Sequence, residues 1–179
     1  CYMFNFRHPS MPVYLELEAG RGNDLASDMD GLIKGLMTNI PAVFKSDFYQ
    51  NRRKKLVEGI QAKQKKIVSA FEKKIEKEGF AMVSLQVGPV VKPQLLPVIE
   101  GNPADYSAVQ QMIEEGKLSK EKYDRIKSSA ESLTEEMSQI YGEMKELETS
   151  LKKKLDRLDM EVVQPVIHEM ISEIDEKYG

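Results

Sequence analysis

The feature that most constrains this chain is a heptad. Ile126, Ala130, Leu133, Met137, Ile140, Met144, Leu147 and Leu151 are separated alternately by four residues and by three. A period of about 3.5 keeps one narrow apolar seam on one side of a helix, and a seam that long must bury itself against a partner. Ser119-Lys120-Glu121-Lys122 offers a cap in front of it, so the spacing predicts a helix from near Ser119 almost to the end of the chain. Past Leu151 the apolar positions Leu155, Leu158, Val162, Val166, Met170 and Ile174 mostly step by four. That longer period straightens the supercoil, and Pro165 predicts a kink or a division.

The nearest partner for the seam is a second predicted helix, Ser46 to Gly79, with Phe48, Leu56, Ile60, Ile67, Phe71 and Ile75 on its apolar side. Ser46 suits its N-cap, and Gly79 sits where a helix-ending glycine belongs. Charge gives an independent argument. Residues 52–66 carry Arg52, Arg53, Lys54, Lys55, Lys63, Lys65 and Lys66 against Glu58 alone. Residues 131–148 carry Glu131, Glu135, Glu136, Glu143, Glu146 and Glu148 against Lys145 alone. Folding back with residue 79 near 119 sets the basic block opposite the acidic one. Exposed pairs are weak, but they select register and partner.

The remaining segments are shorter. Residues 1–22 read as two strands around an Arg7–Pro12 loop. Leu25, Met29, Leu32, Ile33, Leu36, Met37 and Ile40 then form an amphipathic helical stripe, capped at Asn23 or Asp24 and ending or kinking at Pro41. Two strands and one helix cannot cover the apolar faces of the first segment. A start inside an apolar run reads as a piece of a longer protein. Residues 80–118 contain a hairpin turning at Gly88-Pro89, prolines 93, 97 and 103 that exclude a continuous helix, and a short helix over Ala104–Glu115.

The fold expected is therefore mainly α: a long antiparallel coiled-coil helical hairpin with a small β-containing tip and a short N-terminal strand and helix base. Its parts are a base segment 1–45, arms 46–79 and 119–160, a tip 80–118, and a helix 161–179 returning to the base.

Chemistry is hard to find. His8 and His168 have no metal-ligand spacing around them, and no Gly-x-Ser-x-Gly elbow or phosphate-binding loop occurs. Gly20-Arg21-Gly22 reads as a turn with a cap. The ten methionines read as packing residues. No catalytic, cofactor or metal residue is assigned. The net charge of −3 gives no basic character for nucleic acid, and the basic block lacks interleaved aromatics. No apolar run reaches the ~20 residues that cross a bilayer. The single cysteine, Cys1, cannot form an internal disulfide, which suits a reducing, cytoplasmic compartment. The tip is the exception. Val87, Val90, Val91, Leu95 and Leu96 concentrate apolar surface with little chain to cover it, and such patches mark contacts.

Residues 1–45 carry a resemblance. Tyr2-Met3-Phe4-Asn5-Phe6, Leu15-Glu16-Leu17, Ala19-Gly20-Arg21-Gly22, Asp28-Met29, Leu32-Ile33 and Ile40-Pro41-Ala42-Val43-Phe44 resemble the Lon-related ATP-dependent proteases of bacteria. The chain departs from them at Glu18, where that family commonly has proline. The resemblance implies an AAA+-like module with a long helical insertion, followed elsewhere by a Lon-type serine peptidase domain. It implies a parent that works as a homo-oligomeric ring, with ATP as a possible cofactor of the parent and none in this segment. The family's Ser–Lys dyad lies in a Gly-Asp-Ser motif that does not occur here. The expected role is a non-catalytic arm contacting unfolded protein substrates or neighbouring subunits. The alternatives from other classes are a stand-alone prefoldin-like chaperone and a purely structural scaffold arm.

Overall fold

The computed structural model describes residues 2–5, 7–87 and 90–178. The protein is mainly helical with a small β component, as the periodicities require. In order, the elements are β1 (Tyr2–Met3), β2 (Val13–Tyr14), α1 (Arg21–Lys45), α2 (Asp47–Lys77), β3 (Phe80–Val87), β4 (Val90–Ile99), β5 (Asn102–Pro103), α3 (Tyr106–Glu114) and α4 (Lys120–Tyr178). They divide into two compact units, one of residues 1–56 and 153–179, the other of residues 57–152.

In the first unit β1 and β2 pair antiparallel. Asn5 organises the loop between them: its side-chain oxygen accepts from the Arg7 and His8 amides, and its amide group donates to the Met11 carbonyl. α1 begins at Arg21, earlier than expected, behind Gly20 with φ 92°. It also runs through Pro41 to Lys45 instead of ending near Asn39. Contacts beyond the proline hold that last turn. The Gln50 side chain donates to the Phe44 carbonyl at 2.6 Å, and the Phe44 and Tyr49 rings meet edge to face at 5.0 Å.

One residue joins α1 to α2. Ser46 donates its hydroxyl to the Val43 carbonyl at 2.6 Å, closing α1, and the same oxygen accepts the Tyr49 amide at 3.3 Å, capping α2. The buried Tyr49 bonds Asp159 at 2.8 Å, and Arg52 grips Glu161 with two bonds of 2.6 and 3.1 Å.

α1 lies antiparallel to the end of α4. A Cβ on Gly35 would come within 2.2 Å of the Met170 methyl, so glycine permits this close approach. Arg21 donates to the Lys177 carbonyl and stacks 5.0 Å from the Tyr178 ring centre. Asp28 receives both the Lys177 ammonium and the Tyr178 hydroxyl. Contacts on both sides of Pro165 keep α4 a single helix, where division or a kink was expected.

The second unit holds the larger core. Phe71 and Ile75 of α2 meet Ala130 and Leu133 of α4, with Phe80 and Leu95 of the sheet closing the cluster and Ile126, Met137 and Ile140 packed around it. The front of the heptad seam is thus buried as its spacing demands. Ser119 caps α4 through the Lys122 amide at 3.3 Å.

The register between α2 and α4 corrects the sequence expectation. With residue 79 facing 119, Lys74 would face Asp124, but its ion partner is Glu136, twelve residues further on. The first turns of α4 are occupied by the sheet and α3: Ile126 packs against the cluster that holds Leu95 and Phe80. α2 is therefore left with the turns beyond. The basic and acidic blocks do not lie face to face, and Arg52 finds Glu161 outside the acidic block.

Two outcomes are expected. Leu133 is 1% exposed, so Leu133→Ala should lower the unfolding free energy of the second unit by about 2–5 kcal/mol in urea titrations followed by circular dichroism. Asp28 is held below its ordinary value of 3.8, first by the Lys177 hydrogen bond and then by Tyr178. A depressed carboxyl stabilises above its unfolded value and loses that contribution as pH falls through the folded one. Tyr178 ring resonances should therefore shift on acidification below 3.8 in the native protein and stay still in Asp28→Asn.

Candidate functional site

The sequence placed its contact site on Val87, Val90, Val91, Leu95 and Leu96. β3 and β4 do form a hairpin there, pairing Val87 with Val90, Gln86 with Val91, Met82 with Leu95 and Ala81 with Leu96. Gly88 and Pro89, and the side chains of Val87, Val90 and Val91, lie outside the described residues. Leu95 is 4% exposed and belongs to the core cluster, so its side chain serves packing and offers no surface. Strand alternation explains this: Leu95 shares a face with Phe80 and Pro97, which lie over the helices, while Leu96 on the other face is half-buried.

The structure adds a groove that sequence reading missed. It encloses about 710 Å³ between Tyr106 of α3 and one face of α4, formed by Tyr123, Lys127, Ala130, Glu131, Thr134, Glu135 and Ser138. The helical part was legible as positions three and four apart. The wall was not, because Tyr106 reaches the groove only once α3 has folded beside the sheet. The Tyr106 hydroxyl donates to the Leu95 carbonyl at 3.2 Å, and burial, then the neighbouring Tyr123, pushes its phenol above the ordinary range. Thr134 spends its hydroxyl on the Ala130 carbonyl at 2.7 Å. With an apolar floor, aromatic walls and both signs of charge at its rim, the groove suits holding a side chain.

Among the described residues, no group of three or more His, Cys, Asp or Glu stands close enough to hold a metal ion. No described helix is long and apolar enough to cross a membrane.

The first unit presents apolar surface of its own. α1 contains no fully buried residue. Met29, Ile33 and Met37 on its stripe are exposed, as are Tyr2, Phe4, Val13 and Tyr14 around the first hairpin.

Comparison with known families places a match in this same segment. Residues 1–32 match the Lon-like LonC helical domain. The matched stretch spans β1, β2 and the first turns of α1. This segment is therefore similar to a helical region of Lon-like proteases. No curated protein matches the chain, and no solved structure does.

Removing the Tyr106 hydroxyl while keeping its ring tests how the groove wall is held. Tyr106→Phe should cost about 1 kcal/mol in chemical unfolding, through the unpaired Leu95 carbonyl, and leave the helical content unchanged.

Proposed function

We propose that this chain is the non-catalytic helical arm of a Lon-like ATP-dependent serine protease, and that residues 57–152 engage unfolded or damaged protein on its way to degradation. The observation that carries the reading is the similarity of residues 1–32 to the LonC helical domain. The exposed apolar side chains of α1 and the first hairpin fit a base that docks against further parts of such a protease or against neighbouring subunits of a ring. In the second unit, the groove beside Tyr106 and the hairpin offer contact without chemistry: the described side chains around them include no nucleophile paired with a base. Peptide-bond cleavage, ATP use and ring assembly then fall to the rest of the parent enzyme in the cytoplasm.

Deleting residues 80–118 from the full-length protease, with a short glycine linker in their place, tests the assignment. Degradation of a permanently unfolded protein should fall at least roughly tenfold, a loss of little more than 1.4 kcal/mol of binding. Cleavage of a short fluorogenic peptide should stay intact. Unchanged degradation of the unfolded protein would remove the substrate-handling role.

A further inference from the structure

The three-stranded sheet of the second unit has two outer edges, treated in opposite ways. The pairing phase decides which backbone groups face outward. Val98 donates its amide to the Gly79 carbonyl at 2.7 Å, so 79 and 98 form a hydrogen-bonded pair. Antiparallel ladders alternate, so Phe80–Pro97, Met82–Leu95, Ser84–Pro93 and Gln86–Val91 are non-bonded pairs whose amides and carbonyls point away from the partner strand.

On the β4 side that outer edge is closed. Pro93 and Pro97 have no amide to offer, the Leu95 carbonyl accepts the Tyr106 hydroxyl, the Pro97 carbonyl accepts the Ala104 amide, and β5 covers Val98 and Ile99. These are the devices by which proteins blunt sheet edges. On the β3 side none is used. Phe80–Val87 reads Phe-Ala-Met-Val-Ser-Leu-Gln-Val, with no proline and no charge, in a chain that is 31% charged. Met82, Ser84 and Gln86 are exposed, and among the described residues nothing takes up their outward amides and carbonyls.

We propose that the outer edge of β3 takes up an extended, uncharged stretch of unfolded polypeptide by strand addition, with the main chains of Met82, Ser84 and Gln86 as donors and acceptors. The inference rests on the substrate-handling reading above and names how the substrate is held. Three features select this occupant. Main-chain bonding is indifferent to side-chain sequence, which suits a substrate defined by being unfolded. The absence of charge along β3 matches an uncharged strand and repels none of it. The free strip from Met82 to Gln86 is only five residues long. A two-fold pairing with a second copy along that strip falls well short of the roughly 1,200 Å² that a specific interface buries. Weak, short contact is what a substrate that must be handed on requires.

The test uses the whole chain and a capped ten-residue peptide of alternating threonine and valine, labelled with fluorescein and followed by anisotropy. Ser84→Pro copies onto β3 the guard that Pro93 supplies directly opposite, and spares the ladder because residue 84 does not bond to β4. It should weaken binding roughly fivefold to tenfold, as expected for one lost hydrogen bond. Ser84→Lys, which any strand accommodates, should weaken it in the same direction. A peptide N-methylated at alternate residues should lose binding to the native chain. Binding unaffected by Ser84→Lys and by N-methylation would overturn the proposal, and so would a dimer in sedimentation velocity that Ser84→Lys dissociates. The two levels separate cleanly. If deletion of 80–118 stops degradation while Ser84→Lys and N-methylation change nothing, the strand edge is wrong and the arm reading stands. If the edge binds peptide as described but the deletion leaves degradation unchanged, the edge stands and the protease role falls.

Discussion

Leu133 meeting Phe71 and Ile75 is the contact on which the second unit depends. A helix seam of Ala, Leu, Met and Ile has too little apolar surface to hold a tertiary fold through one partner helix alone. Phe80 and Leu95 enter the same cluster from the sheet, so a single core fastens α2, α4 and the hairpin together. The sheet is small and would be marginal in isolation; packing its inner face on two helices is what lets three strands persist. The same arrangement sets the helix register. Sheet and α3 occupy the first turns of α4, and α2 is left with the next ones.

That dependence explains why so much was legible and why the register was not. The heptad from Ile126 onward, the caps at Ser46 and Ser119, the hairpin and the short helix before Gly116 all follow from local rules of period, capping and turn chemistry, and the structure has each. The pairing of basic with acidic blocks was a nonlocal expectation, made as though the tip took up no length along α4. Charge–charge attraction between exposed side chains is worth ~0.2–1 kcal/mol a pair, while burying one leucine-sized group is worth about 1.5–3 kcal/mol. The core therefore decides the register, and Lys74 and Arg52 take whatever carboxylates it brings them.

The candidate site divides the same way. Leu95 was read as surface because its segment is apolar and short of cover, but strand alternation turns it inward. Tyr106 was read as an ordinary position in a short helix, yet its ring makes a wall and its hydroxyl closes a sheet edge. Pro93 and Pro97 were read only as helix breakers. Their further meaning, the loss of two outward donors, depends on the hydrogen-bonding phase of the hairpin, which no local pattern records.

The junction at Ser46 has a mechanical consequence for the first unit. One side-chain oxygen serves as the stop of α1 and the start of α2, with no spacer on either side. A loop of several residues would let two rods swivel; a lone residue with φ −63° and ψ 143° gives a corner with no slack. Re-aiming α1 requires unwinding the first turn of α2, so force applied to one helix is felt at once by the other. The pair acts as an elbow brace rather than a hinge.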